Sequence, residues 1–209
     1  MGGGGRIDTA HHESKAMKAL DETAELAKAV ETAVRMVDLE ETLVVVTSDH
    51  SHTMTYNGYS RRGSNVLGLA NKMNSSSGLP YSILSYATGP GHRSDSNHDF
   101  RLDDMDSLNY TYPSLFPMVR ETHGGEDVAV FAAGPWAHLF TGNYEQNFIP
   151  HAIAYAACIG TGLQASFNSA ASSPEKAQRS LPQYVFGRRG GKTPPAPANA
   201  SRACSYAVL

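Results

Sequence analysis

From Glu13 to about Asp38, Met17, Leu20, Ala24, Ala27, Val30, Val34 and Val37 recur every three or four residues, with charged and polar residues between them. That period predicts one long helix with a single buried face. Lys18 with Glu22 and Glu31 with Arg35 stand one turn apart on the other face and read as a solvated stripe. The pattern then changes to the continuous apolar run of "TLVVVTSDHSH", which predicts a fully buried strand from Leu43 to Thr47. Between Thr53 and Glu121, Gly, Ser, Asn and Tyr dominate and only short pieces such as "YSILSYAT" look β-like, so this stretch reads as a loop-rich insertion. "GGEDVAVFAAGP" restores order with a glycine turn, a second buried strand over Val128–Ala132 and a Gly-Pro stop. A further helix is expected over Phe148–Ile159. Helix, strand, insertion, strand and helix in this order make an α/β chain. The Pro-, Gly- and Ser-rich text that follows is too polar to offset the entropy of ordering, so 161–209 is expected to be disordered.

Composition narrows the possibilities. At 209 residues and 41% hydrophobic, the chain can bury a core. A net charge of -3, with 17 scattered Lys and Arg, offers no basic footprint and argues against nucleic acid as a partner. The longest mostly apolar stretch, Ala152 to Leu163, is too short for a membrane span, and no apolar run follows Met1. The chain is therefore expected to encode neither a signal peptide nor an anchor. Cys158 and Cys204 could form one disulfide, which does not identify a redox compartment. Asn74, Asn109 and Asn199 each begin an Asn-x-Ser/Thr triplet in loop-like text and are candidate glycosylation sites.

The candidate chemistry lies at the ends of these elements. Asp8 and His12 are four residues apart, so a helix covering both would put them on one face, able either to chelate one ion or to make a cap or surface pair. Asp49 and His50 follow the first strand, and ligands of open α/β sheets gather beyond the carboxyl ends of strands. His123 sits beside a glycine turn where backbone can approach an ion. Five carboxylate and imidazole groups suit zinc, which takes nitrogen and oxygen donors at about 2.0–2.2 Å. His11 and Glu13 are read as structural or supporting residues.

"GGRID-x-x-x-HHE", "TSDHSH" and "ETHGGEDVAVFAAGP", in this order, closely resemble the C-terminal third of the animal alkaline phosphatases. The likeness runs from about Gly4 to Cys158 and takes in "GYSRRG" and "QNFIPHAIAYAAC". It implies the C-terminal part of an alkaline-phosphatase-like sheet flanked by helices: a partial core over 1–54 and 121–160, and a crown-like insertion over 55–120. It implies hydrolysis of phosphate monoesters through two zinc ions and a phosphoserine intermediate. By the same resemblance Asp8, His12 and His123 would hold one zinc, Asp49 and His50 the second, and His52 would support the aspartate from behind. Tyr59 would reach a partner's active site across a homodimer interface, although packing is the default use of the chain's many tyrosines. The resemblance also implies an extracellular or cell-surface glycoprotein, held to a membrane only through a lipid anchor not encoded here.

Two departures qualify this. The family's magnesium-binding glutamate falls at Gly3, which puts magnesium in doubt, and the nucleophilic serine belongs to segments upstream of this chain. The chain therefore reads as a fragment, or as a truncated product starting at Met1. The alternative reading is an inactive zinc-binding or dimer-forming remnant of the same family.

Overall fold

A computed structural model describes residues 4–70, 75–95, 97–159 and 205–208. Gly3, Asn74, Asn199 and Cys204, singled out above, lie outside the described residues or their described side chains, as does most of 161–209. The elements are α1 (Gly5–His12), α2 (Ala16–Met36), β1 (Thr42–Val46), β2 (Ser51–His52), β3 (Met54–Tyr56), β4 (Leu84–Gly89), β5 (Ser114–Pro117), β6 (His123–Gly124), β7 (Phe131–Ala133), α3 (Phe148–Ala156) and β8 (Ser205–Val208). Mixed helix and sheet agree with the α/β expectation.

The chain forms two compact units. The first contains α1, α2 and β2 to β6. Asp8 in the first turn of α1 and His11 and His12 in its last turn match the sign of the helix dipole. α1 then stops, because Ser14 adopts a left-handed conformation (φ 53°) and its amide returns to His11 O at 2.7 Å. Asp8 and His12 thus stand on a short helix of their own, separate from the long one. α2 is fully buried only at its start, through Ala16 and Ala19; Ala24 and Ala27 are exposed and Met36 is 80% exposed. The continuous buried face expected for this helix is therefore confined to its first turns, where neighbours exist to cover it. Those neighbours are Leu84, Tyr86 and Tyr112, which with Ala16 make the buried centre of the unit, flanked by Leu20, Met54, Leu67 and Tyr110. Each of the three large side chains stabilises the unit by roughly 2–3 kcal/mol through burial.

The loop-rich stretch supplies this core. β4 lies between β3, antiparallel to it, and β5, parallel to it, with Tyr86 opposite Met54 on one side and Ser114 on the other. β2 and β6 form a separate antiparallel ribbon in which His52 faces His123 and Ser51 faces Gly124. A β-carbon at Gly124 would come within 2.5 Å of Ser51 Oγ and 2.8 Å of His52 O, so the close approach of these strands depends on glycine there.

In the second unit, β1 is the middle strand of the order β7-β1-β8 and runs parallel to β8. Leu43, Val44 and Val45 are buried, as the apolar run predicts. β7 differs from the expected buried strand over 128–132. It begins only at Phe131, which is 67% exposed, because an edge strand is covered on one side only. β8 is the described part of the tail expected to be disordered. α3 ends at Ala156, three residues short of the expected Ile159.

Candidate metal centre

α1, the segment after β1, and the β2–β6 ribbon bring imidazoles and carboxylates from three distant stretches together. Helical spacing puts Asp8 and His12 on one face, with His12 Nε2 3.4 Å from Asp8 Oδ1. Directly opposed residues of an antiparallel pair share a face, so the ribbon delivers His52 and His123 to the same place. His123 Nε2 lies 3.3 Å from Asp8 Oδ1 and 3.2 Å from His12 Nε2. The three ligand atoms of Asp8, His12 and His123 therefore form a nearly equilateral triangle.

His52 Nε2 is 3.0 Å from Asp8 Oδ1, and His50 Nε2 is 3.8 Å from the same oxygen. Asp8, His50, His52 and His123 each offer one ligand atom, all within 4.8 Å of one another. The His50 and His123 rings stack with centroids 3.4 Å apart. Asp49 lies at the rim: its side chain is 88% exposed and its Oδ2 is 3.4 Å from His50 Nε2. Tyr59 is exposed on a loop of the same unit.

Electrostatics follow from this crowding. Burial pushes the Asp8 carboxyl up, but His12, His52 and His123 outweigh it and hold the group below the usual carboxylate range. His11 points the other way, its Nδ1 2.9 Å from the Tyr86 hydroxyl and its ring stacked on His52. Burial, assisted by the neighbouring His52, pushes its pKa down to about 4. Burial also raises the Tyr86 hydroxyl. His11 thus joins the core to the back of the site, whereas Glu13 is exposed and pairs with Lys15 at 2.7 Å.

Glu121 belongs to none of the candidate ligand pairs visible in the sequence. Its side chain is fully buried, and its Oε2 is 2.7 Å from His52 Nδ1. A second group of ligand atoms comes from His12, His52 and Glu121. The signal in the sequence was its position two before His123.

The family model for alkaline phosphatase matches residues 1–159. The chain belongs to the alkaline phosphatase family. The tissue-nonspecific alkaline phosphatase of Rattus norvegicus is 45% identical over 186 residues, covering 88% of this chain and 36% of its own length. The Homo sapiens isozyme is 46% identical over 162 residues, 77% of this chain and 31% of its own. The membrane-bound alkaline phosphatase of Bombyx mori is 45% identical over 187 residues, 88% of this chain and 34% of its own. The chain thus spans about a third of the length of the relatives it matches. Coverage of 88% reaches past Cys158, so the likeness to some alkaline phosphatases continues into the tail, beyond the limit expected from the motifs. No helix among the described residues is long and apolar enough to cross a membrane.

Proposed function

We propose that this chain provides zinc ligands for a phosphomonoesterase site, with Asp8, His12 and His123 holding one zinc and Asp49 and His50 contributing to a second. The observation that carries this reading is the triangle of 3.2, 3.3 and 3.4 Å among the three ligand atoms. Zinc bonded at about 2.0–2.1 Å with tetrahedral angles needs ligand atoms about 3.3 Å apart, so the triangle is one face of such a tetrahedron. Three protein ligands and one open position are the arrangement of catalytic zinc sites. When bound, zinc supplies a Lewis acid for a phosphoryl oxygen and lowers the pKa of a bound water.

The residues prepare this chemistry. Asp8 is held anionic by its imidazole neighbours. His12 Nδ1 donates to the Glu121 carbonyl at 2.6 Å, which leaves the Nε2 lone pair facing Asp8 and His123. His123, with a side chain 47% exposed, leaves the mouth of the site open to a phosphate monoester. His52 braces Asp8 from behind. Family membership supports a phosphoserine intermediate on a serine outside these 209 residues, and no magnesium ligand is assigned here.

The same resemblance supports a cell-surface, homodimeric glycoprotein carrying glycans at Asn74, Asn109 and Asn199, with 55–120 as the crown-like insertion and Tyr59 at the dimer rim. Among these sites, Asn109 is exposed in the turn before Tyr110.

The test is hydrolysis of an aryl phosphate by the protein that carries this chain. Chelation should abolish turnover and zinc should restore it. His123→Ala should lower kcat/KM by more than about a hundredfold, since even residues that merely support a ligand cost 10–100-fold. Zinc-independent turnover, or full activity of His123→Ala, would refute the reading; zinc uptake without turnover would favour the inactive remnant.

A further inference from the structure

We infer that Glu121 is the positioning residue of this centre: through one carboxylate and one carbonyl oxygen it fixes the rings of two histidines that arrive on different elements. The role in metal binding rests on the zinc-ligand reading above; the hydrogen-bond assignment does not.

A fully buried carboxylate costs several kcal/mol unless charge and hydrogen bonds compensate it. Here the compensation comes from the residues around the metal centre. Glu121 Oε1 accepts from Thr53 N at 2.6 Å and from Thr53 Oγ1 at 2.9 Å. That oxygen is committed, so Oε2 is left for His52 Nδ1 at 2.7 Å. The main chain of the same residue grips α1: its N–H donates to His12 O at 2.9 Å, and its carbonyl accepts from His12 Nδ1 at 2.6 Å.

These contacts have a chemical consequence. A carbonyl or a carboxylate oxygen can only accept, so both histidines carry a proton on Nδ1. Each ring is thereby turned with Nε2 toward Asp8. Outer partners of this kind set the ring orientation of metal-binding histidines. Glu121 does so for the ligand His12 through its backbone carbonyl, and through its side chain it holds His52, which braces the ligand Asp8; substitution separates the two.

In Glu121→Gln, the two Thr53 donors still require an acceptor at the Oε1 position, which puts the amide NH2 against the Nδ1–H of His52. Two donors then face each other, and His52 must give up its Nδ1 proton or rotate its ring, while Nε2 keeps the Asp8 carboxylate as its acceptor. His12 keeps its partner because the backbone carbonyl is unchanged.

The experiment follows the ring N–H protons of the 15N-histidine-labelled 209-residue chain by NMR, without metal, and titrates zinc in parallel. The wild-type chain should show protected Nδ1–H signals from His12 and His52. Glu121→Gln should lose the His52 signal, keep the His12 signal and bind zinc about 10–100-fold more weakly. Retention of the His52 proton in Glu121→Gln, or its loss with unchanged zinc affinity, would overturn the inference. A wild-type chain that shows both protons but takes up no zinc would support the ring assignment and refute the zinc reading instead. Thr53→Val provides a second variant should Gln prevent folding. It removes one bond to Oε1, so His52 Nδ1–H should persist but exchange severalfold faster, and unchanged exchange would count against the network.

Discussion

Gly89 ends β4 at φ +143°, beneath the turn that joins α1 to α2. A β-carbon there would lie 2.4 Å from Ser14 Oγ and 3.3 Å from Glu121 Cβ. Ser14 cannot move aside freely, because its amide is bonded to His11 O and its carbonyl accepts the Tyr112 amide at 2.8 Å. Gly89→Ala should therefore cost about 1–3 kcal/mol in backbone strain and about 1–3 kcal/mol in overpacking. The expected loss is about 2–6 kcal/mol, a large part of the 5–15 kcal/mol that holds an ordinary domain together. Gly78→Ala is the control. Gly78 is also at positive φ (+78°), but nothing lies within 4 Å of its added carbon, so strain alone should cost about 1–2 kcal/mol. Ser14 Oγ is buried and makes no hydrogen bond, so Ser14→Ala should be nearly neutral by itself and should recover about 1–2 kcal/mol when combined with Gly89→Ala. Urea unfolding followed by circular dichroism would measure all four variants, provided the m-value stays constant. Equal losses at positions 78 and 89, or additive effects of the Ser14 and Gly89 substitutions, would refute the collision argument.

Two further outcomes concern charge and loop order. His11 is held at about 4, against an ordinary value of 6.5, by burial first and His52 second. Between those values the unfolded chain binds a proton that the folded chain does not, so stability of the metal-free chain should rise with pH across pH 4–6.5. The contribution is on the order of 2 kcal/mol after discounting for partial exposure, and it should vanish from the pH profile of His11→Asn. Asp103 accepts from the Tyr110 hydroxyl at 2.6 Å and pairs with His98 at 2.8 Å. Tyr110→Phe should cost about 1.5–3 kcal/mol in urea unfolding, and much less once Asp103→Asn has removed the charge.

Elements with a continuous local signal were legible in the sequence. The apolar run gave β1 within one residue, and the three-to-four-residue period gave α2. The α1–α2 break was not legible, because Ser14 is held left-handed by a tertiary bond to Tyr112 rather than by a glycine. The exposed half of α2 was missed because periodicity reports which face is apolar and says nothing of what covers it. In the site, Asp8 and His12 were marked by helical spacing. The pairing of His52 with His123 depends on a ribbon closed between strands far apart in sequence. Glu121 was hidden for the same reason: its partners Thr53 and His12 stand 68 and 109 residues away, and only their arrival makes a buried carboxylate tolerable.

Zinc K-edge X-ray absorption of the zinc-loaded chain reads directly which atoms hold the ion. The first shell should consist of nitrogen and oxygen alone at about 2.0–2.1 Å. Outer-shell imidazole scattering should be present and should weaken when His12 and His123 are both replaced by Ala. A sulfur shell at about 2.3 Å, placing the ion on Cys158 or Cys204, or imidazole scattering unchanged in the double variant, would contradict the zinc-ligand reading.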